Sequence, residues 1–183
     1  MAAGVVSGTY GHALFELAVE QNEIDSLMGE AEIVEEVLRE CPEFTNLLDH
    51  PRIGVEQKTA LVEEAFGGRV SSNMTGFLII LVKNDRQREI RSSLAEFIAE
   101  VKEYRRIGVC RVVSALPLSD DQKKRLTDRL IETTSYRVFE MDYRVDPKLI
   151  GGVTIQIGDR VLDSSIRSKL NGLKKTLQAV SVE

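Results

Sequence analysis

Through the first half of the chain, apolar positions recur at steps of three and four residues, the spacing of helices with one buried face. Tyr10, Ala13, Leu14, Leu17 and Ala18 set the pattern from Thr9 onward, with Glu16 and Glu20 on the other side and Gln21-Asn22 as the stop. A second helix is predicted from Glu23 to Glu40, striped by Ile24, Leu27, Met28, Ala31, Val34 and Leu38 and halted by Pro42. A short helical segment follows over Glu43 to Leu48, and His50-Pro51 breaks the chain again. The spacing then predicts a fourth helix from Val55 to Phe66, closed by Gly67-Gly68. Ser71 or Ser72 caps a fifth. Its main stripe is Met74, Phe77, Leu78, Leu81 and Val82, but Ile79 and Ile80 make it apolar nearly all round. Such a helix lies at the centre of a bundle or has a partner on one face. A sixth helix is predicted from Gln87 to Tyr104, with Ile90, Leu94, Phe97, Ile98 and Val101 inward. Short connections join these segments, as in a compact helical bundle.

The period changes near Gly108. Val109 to Leu116 is rich in valine and reads as a strand, and Ser119-Asp120-Asp121 opens a helix that reaches Thr133. Phe139, Met141, Tyr143 and Val145 alternate with Glu140, Asp142 and Arg144, a strand with one buried face. Val153, Ile155 and Ile157 form another, turned at Gly158-Asp159 into a short return strand from Arg160 to Leu162. Ser164 or Ser165 caps a terminal helix with the stripe Ile166, Leu170, Leu173, Leu177 and Val180. The paired Gly151-Gly152 before the strand lets another backbone approach closely. The fold class expected is mainly α: a six-helix N-terminal bundle over residues 1–106, then a small α/β domain over 107–183.

Composition narrows what such a chain does. At 183 residues with a net charge of −5, it does not resemble a dedicated binder of nucleic acid or of anionic membranes. The most apolar run, Phe77 to Val82, is far short of the roughly 20 residues that span a bilayer. The N-terminal stretch lacks the basic start and cleavage pattern of a signal peptide, so the chain is expected to stay where it is made. Cys41 and Cys110 are far apart and read as reduced core residues. His12 and His50 do not stand at metal-ligand spacing. No phosphate-loop, dinucleotide or serine-nucleophile motif is present, and no metal, cofactor or catalytic residue is expected.

Two features remain as candidates for contact with a partner. Lys83, Arg86, Arg88 and Arg91 cluster between the fifth and sixth helices, which leaves an RNA-binding bundle or a generic interaction adaptor as the alternative reading. The excess apolar surface of the fifth helix is the stronger clue. Packed beside the first helix, it would leave a groove for an amphipathic helix.

The order Asp146-Pro147-Lys148-Leu149-Ile150-Gly151-Gly152-Val153-Thr154-Ile155, then Gly158-Asp159, then Asp163-Ser164-Ser165-Ile166, resembles the C-terminal signature of the ATP synthase delta subunit family. Tyr10-x-x-Ala13-Leu14-x-x-Leu17-Ala18 and Phe77-Leu78-x-x-Leu81-Val82-x-Asn84-x-Arg86 are similar to the family's N-terminal helices. The resemblance implies a non-catalytic stator component, peripheral at the cytoplasmic face of a bacterial cell membrane. It implies an N-terminal bundle that takes the N-terminal helix of a catalytic-head alpha subunit at Tyr10, Ala13, Leu17, Phe77, Ile80, Leu81 and Asn84. It further implies a C-terminal domain that meets the b subunits of the peripheral stalk. There the candidates are Gly151, Gly152, Ile166, Leu170, Leu173 and Leu177.

Overall fold

The computed structural model describes residues 3–166, 168 and 170, and of residues 3–7 the backbone alone. Leu173, Leu177 and Val180 lie outside the described residues. The chain is mainly helical with a small four-stranded sheet, and it divides into two compact units at Lys102 and Glu103.

The first unit holds α1 (Ala3–Glu20), α2 (Ile24–Glu40), α3 (Pro42–Asp49), α4 (Val55–Phe66), α5 (Ser72–Lys83) and most of α6 (Ile90–Tyr104). Helix α1 begins six residues before Thr9, because neither a proline nor a capping stop interrupts the stretch, and glycines at 4 and 8 weaken a helix without ending it. Asn22, at φ 57°, ends it. Pro42 halts α2 and at the same time opens α3, the position where its missing N–H costs nothing. Cys41, expected in the core, is exposed: it caps both helices at their joint and so faces outward. Ser71 closes the N-terminus of α5, accepting from the Met74 amide at 3.2 Å. A 3-10 turn, Gln87–Glu89, leads into α6 where one continuous helix was expected. Leu14, Leu27, Val34, Val62, Met74, Leu78, Leu81, Leu94 and Phe97 are among the buried core residues. Gly11 lets α1 close on α6: a Cβ there would lie 2.7 Å from the Ser93 carbonyl oxygen.

The second unit orders its strands β2-β1-β3-β4, with β1 at Ile107–Ser114, β2 at Val138–Val145, β3 at Val153–Ile157 and β4 at Arg160–Asp163. Strands β1 and β2 are parallel, so a crossover must join them, and α7 (Asp120–Thr133) supplies it. Strand β3 runs antiparallel to β1 and turns at Gly158 into β4. Cys110, Val112, Leu130, Phe139 and Ile155 form the core, as the alternation predicts. Gly108 stands inside β1 instead of breaking it, because the Phe139 ring occupies the space a side chain would need. Val145, expected on the buried face, is half exposed at the end of the ladder, where it pairs with Ser114.

Candidate partner-docking site

Hydrogen bonds at both ends show that α1 and α5 run antiparallel. At one end Asn73 Nδ2 donates to Gln21 Oε1 (2.5 Å) and Glu23 Oε2 (3.0 Å); at the other Asn84 Nδ2 donates to the Tyr10 hydroxyl (3.2 Å). Between them lies a groove of about 400 Å³. Leu14 and Phe77, both buried, form its floor, and Tyr10, Ala13, Leu17, Gly76 and Ile80 its walls. Ala13 is exposed, and Ile80 keeps 51% of its surface open. Ile80 thus stands open over a continuous apolar floor, which makes this groove the candidate docking surface.

Tyr10, Ala13, Leu17, Phe77 and Ile80, five residues singled out in the sequence, meet in this groove. Leu81 does not: it is 0% exposed and points into the core, since one residue past Ile80 is a turn of about 100° round the helix. Asn84 lies at the rim, bonded to Tyr10. Leu14, Ser72, Asn73 and Gly76 were missed as lining residues. Gly76 left a signal, as a glycine inside an apolar helix. A Cβ at that position would meet nothing within 4 Å, so the residue opens the groove and serves no close packing.

Beside the groove, His12 Nδ1 lies 2.9 Å from Glu100 Oε2 on α6, and its Nε2 is 3.6 Å from Glu16. The hydrogen bond to Glu100, then that carboxylate's charge, raise the His12 pKa above 6.5. The contact joins α1 to α6, and protonation of His12 strengthens it.

In the second unit, Gly151 and Gly152 make the close approach their pairing suggests. A Cβ on Gly152 would fall 2.5 Å from the Ser164 carbonyl oxygen, and one on Gly151 would fall 2.7 Å from Ile166 Cδ1. The Ile166 amide donates to the Gly151 carbonyl at 2.9 Å, and the Ser164 amide to that of Val153 at 3.0 Å. Ser165 is the capping serine, accepting from the Ser168 amide at 3.2 Å. Asp163 accepts from the Ser168 hydroxyl and the Ser165 amide, and these bonds hold its carboxyl down at about 2. Ile166 and Leu170 both stand exposed. Next to them a cleft of about 360 Å³ is lined by Leu116, Leu118, Ile150, Gly151, Gly152 and Val153. Leu116 is 75% and Ile150 67% exposed, and neither was among the contact candidates read from the sequence. Ile150 also holds φ 67°, a strained value for a β-branched residue.

The basic stretch between the fifth and sixth helices is less free than its sequence suggests, since Arg88 Nε binds Asp49 at 3.1 Å. Among the described residues, no group of three or more His, Cys, Asp or Glu side chains is placed to hold a metal ion. No helix among them is long and apolar enough to cross a membrane.

The family model for the ATP synthase delta (OSCP) subunit matches residues 6–177. ATP synthase subunit delta of Lachnoclostridium phytofermentans is 47% identical over 175 residues, 96% of each chain. That of Chloroherpeton thalassium is 37% identical over 175 residues, 96% of this chain and 95% of the other. In fold, the chain is similar to one in the cryo-EM structure of the Toxoplasma gondii mitochondrial ATP synthase hexamer, with a TM-score of 0.76 at 20% identity over 94% of this chain and 97% of that one. The matched sequence and the shared fold run through both units, and the chain belongs to the ATP synthase delta (OSCP) subunit family.

Proposed function

We propose that this chain is a non-catalytic stator joint of a proton-driven ATP synthase, tying the catalytic head to the peripheral stalk. Its N-terminal part, residues 1–106, acts as a six-helix bundle and takes the N-terminal helix of an alpha subunit in the groove between α1 and α5. Its C-terminal part, residues 107–183, receives the b subunits, with Gly151 and Gly152 shaping the support on which Ile166 and Leu170 are presented. Leu173 and Leu177 extend the same stripe in sequence. The chain sits peripherally at the cytoplasmic face of a bacterial membrane. Its task is to resist torque, which calls for interfaces that dissociate slowly and not for chemistry.

The observation that carries the head-binding assignment is the groove itself, with half-exposed Ile80 above buried Phe77 and Leu14. Six side chains, Tyr10, Ala13, Leu14, Leu17, Phe77 and Ile80, at helical spacing on two antiparallel helices make a receptacle for one apolar helix face. Ala13 tests it. The residue is exposed, so a carboxylate there stays hydrated in the free protein. A docked helix would strip that water, at a cost of about 1–3 kcal/mol. Ala13→Asp is expected to weaken an alpha-subunit N-terminal peptide by about tenfold or more in calorimetry, while the thermal melt stays cooperative. Unchanged affinity would remove the groove as the docking site.

A further inference from the structure

Helix α2 keeps a second apolar row on its solvent side. Ile24, Leu27, Ala31, Val34 and Leu38 fill its buried face. Gly29, Ile33, Val37 and Cys41 follow one another at steps of four, so they form one lane along the outer side. Ile33 is 56% exposed, and Val37 and Cys41 are exposed as well. A Cβ on Gly29 would meet nothing within 4 Å, so the missing side chain leaves the ridge low without serving a close contact. Beside this lane runs a second row at the same spacing, Glu32, Glu36 and Glu40, all exposed. None of these residues lines the α1–α5 groove. Each feature is unfavourable in the free protein. Glycine inside a helix is worse than alanine. Carboxylates four residues apart repel each other, and Glu40 lies in the last turn, at the negative end of the helix dipole. With Asp25, Glu30 and Glu35, α2 carries six carboxylates against one base, Arg39, which is bonded to Glu36 at 3.3 Å. Glu43, exposed in the first turn of α3, adds to the charge beyond Cys41. On the other flank of the lane, Glu30 accepts from the Ser71 hydroxyl at 2.7 Å, and exposed Arg69 stands two residues before that serine. Local rules broken together on one face mark a surface kept for function.

We infer that the outer side of α2 is a docking surface for a basic amphipathic helix of a neighbouring subunit. Aliphatic residues of that helix cover Ile33 and Val37, and its backbone comes closest at Gly29. Lysines or arginines at steps of three or four along one of its flanks meet Glu32, Glu36 and Glu40. Apolar burial supplies the affinity, while the carboxylate row sets the register and turns acidic helices away. This surface shares no residue with the α1–α5 groove, so one chain holds two helices at once. Two linked contacts release slowly together without either being tight alone, which suits a joint under torque.

The test titrates the full-length, isotope-labelled chain with two synthetic helix-forming peptides that share a leucine face, one flanked by lysines and the other by glutamates. In amide NMR the lysine peptide is expected to shift the signals from Gly29 to Cys41. It is expected to bind about tenfold more tightly than the glutamate peptide at low salt, with a smaller gap at high salt. Replacing Glu32, Glu36 and Glu40 together by Gln is expected to weaken the lysine peptide by about tenfold, two- to threefold for each exposed charge. Ile33→Gln, which removes the apolar contact and keeps the charges, is expected to weaken it by about five- to tenfold. Both variants change exposed side chains, so the melt stays cooperative. Shifts confined to the α1–α5 groove, equal affinity for the two peptides, no shift at millimolar peptide, or unchanged affinity in both variants would each overturn the assignment. Broadening of the Gly29 to Cys41 amides that grows with protein concentration before peptide is added would give the face to a second copy of this chain and overturn it too. In an assembled ATP synthase, a nitroxide on exposed Cys41 is expected to lose mobility relative to the free chain. Unchanged mobility there would show that the face stays bare and would overturn the inference, while the head-binding reading is decided separately by Ala13→Asp.

Discussion

Gly152 adopts φ 82° with the Ser164 carbonyl where a methyl group would go, so two separate penalties meet at one residue. The left-handed conformation alone costs an L-residue about 1–2 kcal/mol. Gly152→Ala is therefore expected to lower the melting temperature of the second unit by at least about 4–8 °C, and an unshifted melt would show that the backbone relaxes freely there. Ile150, two residues earlier, also holds a positive φ, 67°, without being glycine, and it is 67% exposed. His12 gives a second residue-scale prediction. Its bond to Glu100 raises its pKa in the fold, so the stabilisation is complete below its unfolded value near 6.5 and is lost as pH rises through the higher folded value. Melting temperatures of the wild type and of His12→Gln should therefore converge as pH rises from about 6 to about 8. A gap that is constant over that range would show that the His12 charge plays no part in holding α1 to α6.

Among the elements, α7 has the best-formed start. Ser119 Oγ accepts from the Gln122 amide at 3.3 Å while Gln122 Oε1 accepts from the Ser119 amide at 2.9 Å, and Asp120 and Asp121 face the positive end of the dipole. This helix buries little, Leu130 being its one fully buried side chain, so the cap matters more to it than to the core helices. Ser119→Ala should cost about 1 kcal/mol in chemical denaturation; a loss near zero would mean that packing of Leu126 and Leu130 alone keeps the helix in place. The contrast is with α5, also serine-capped, whose apolar surface exceeds what the core absorbs. The surplus at Ile80 is what turns a core helix into one wall of a groove.

Among the described residues, two separate clusters of buried side chains lie on either side of the Lys102–Glu103 division, and neither includes a residue of the other. A fragment ending at Arg105 is expected to melt as one cooperative helical unit, and random-coil circular dichroism from it would show that the first core is incomplete alone. In the same way, deleting the residues after Ser165 should spare binding of the alpha-subunit peptide and abolish binding of the b subunits in a pull-down. Retained b-subunit binding would move the stalk site off Ile166 and Leu170.

The sequence alone determined the element types and most of the boundaries, because apolar spacing, proline, glycine and serine act locally on the backbone. It set α4 from Val55 to Phe66, the stop of α2 at Pro42, the capped start of α7 and the turn at Gly158. Together with the resemblance at Gly151-Gly152 and the helix motifs, it also carried five of the groove residues. Tertiary structure decided what no local rule reaches. Periodicity puts Ile80 and Leu81 on the same apolar helix, and only the packing of α5 among its neighbours sends Leu81 inward and leaves Ile80 open. Cys41 has the composition of a core residue and the position of a joint. The β1–β2 pairing is parallel, α1 and α5 run antiparallel, and Gly76 opens a space. Each of these depends on which segment lies opposite, which is fixed when distant parts of the chain pack together.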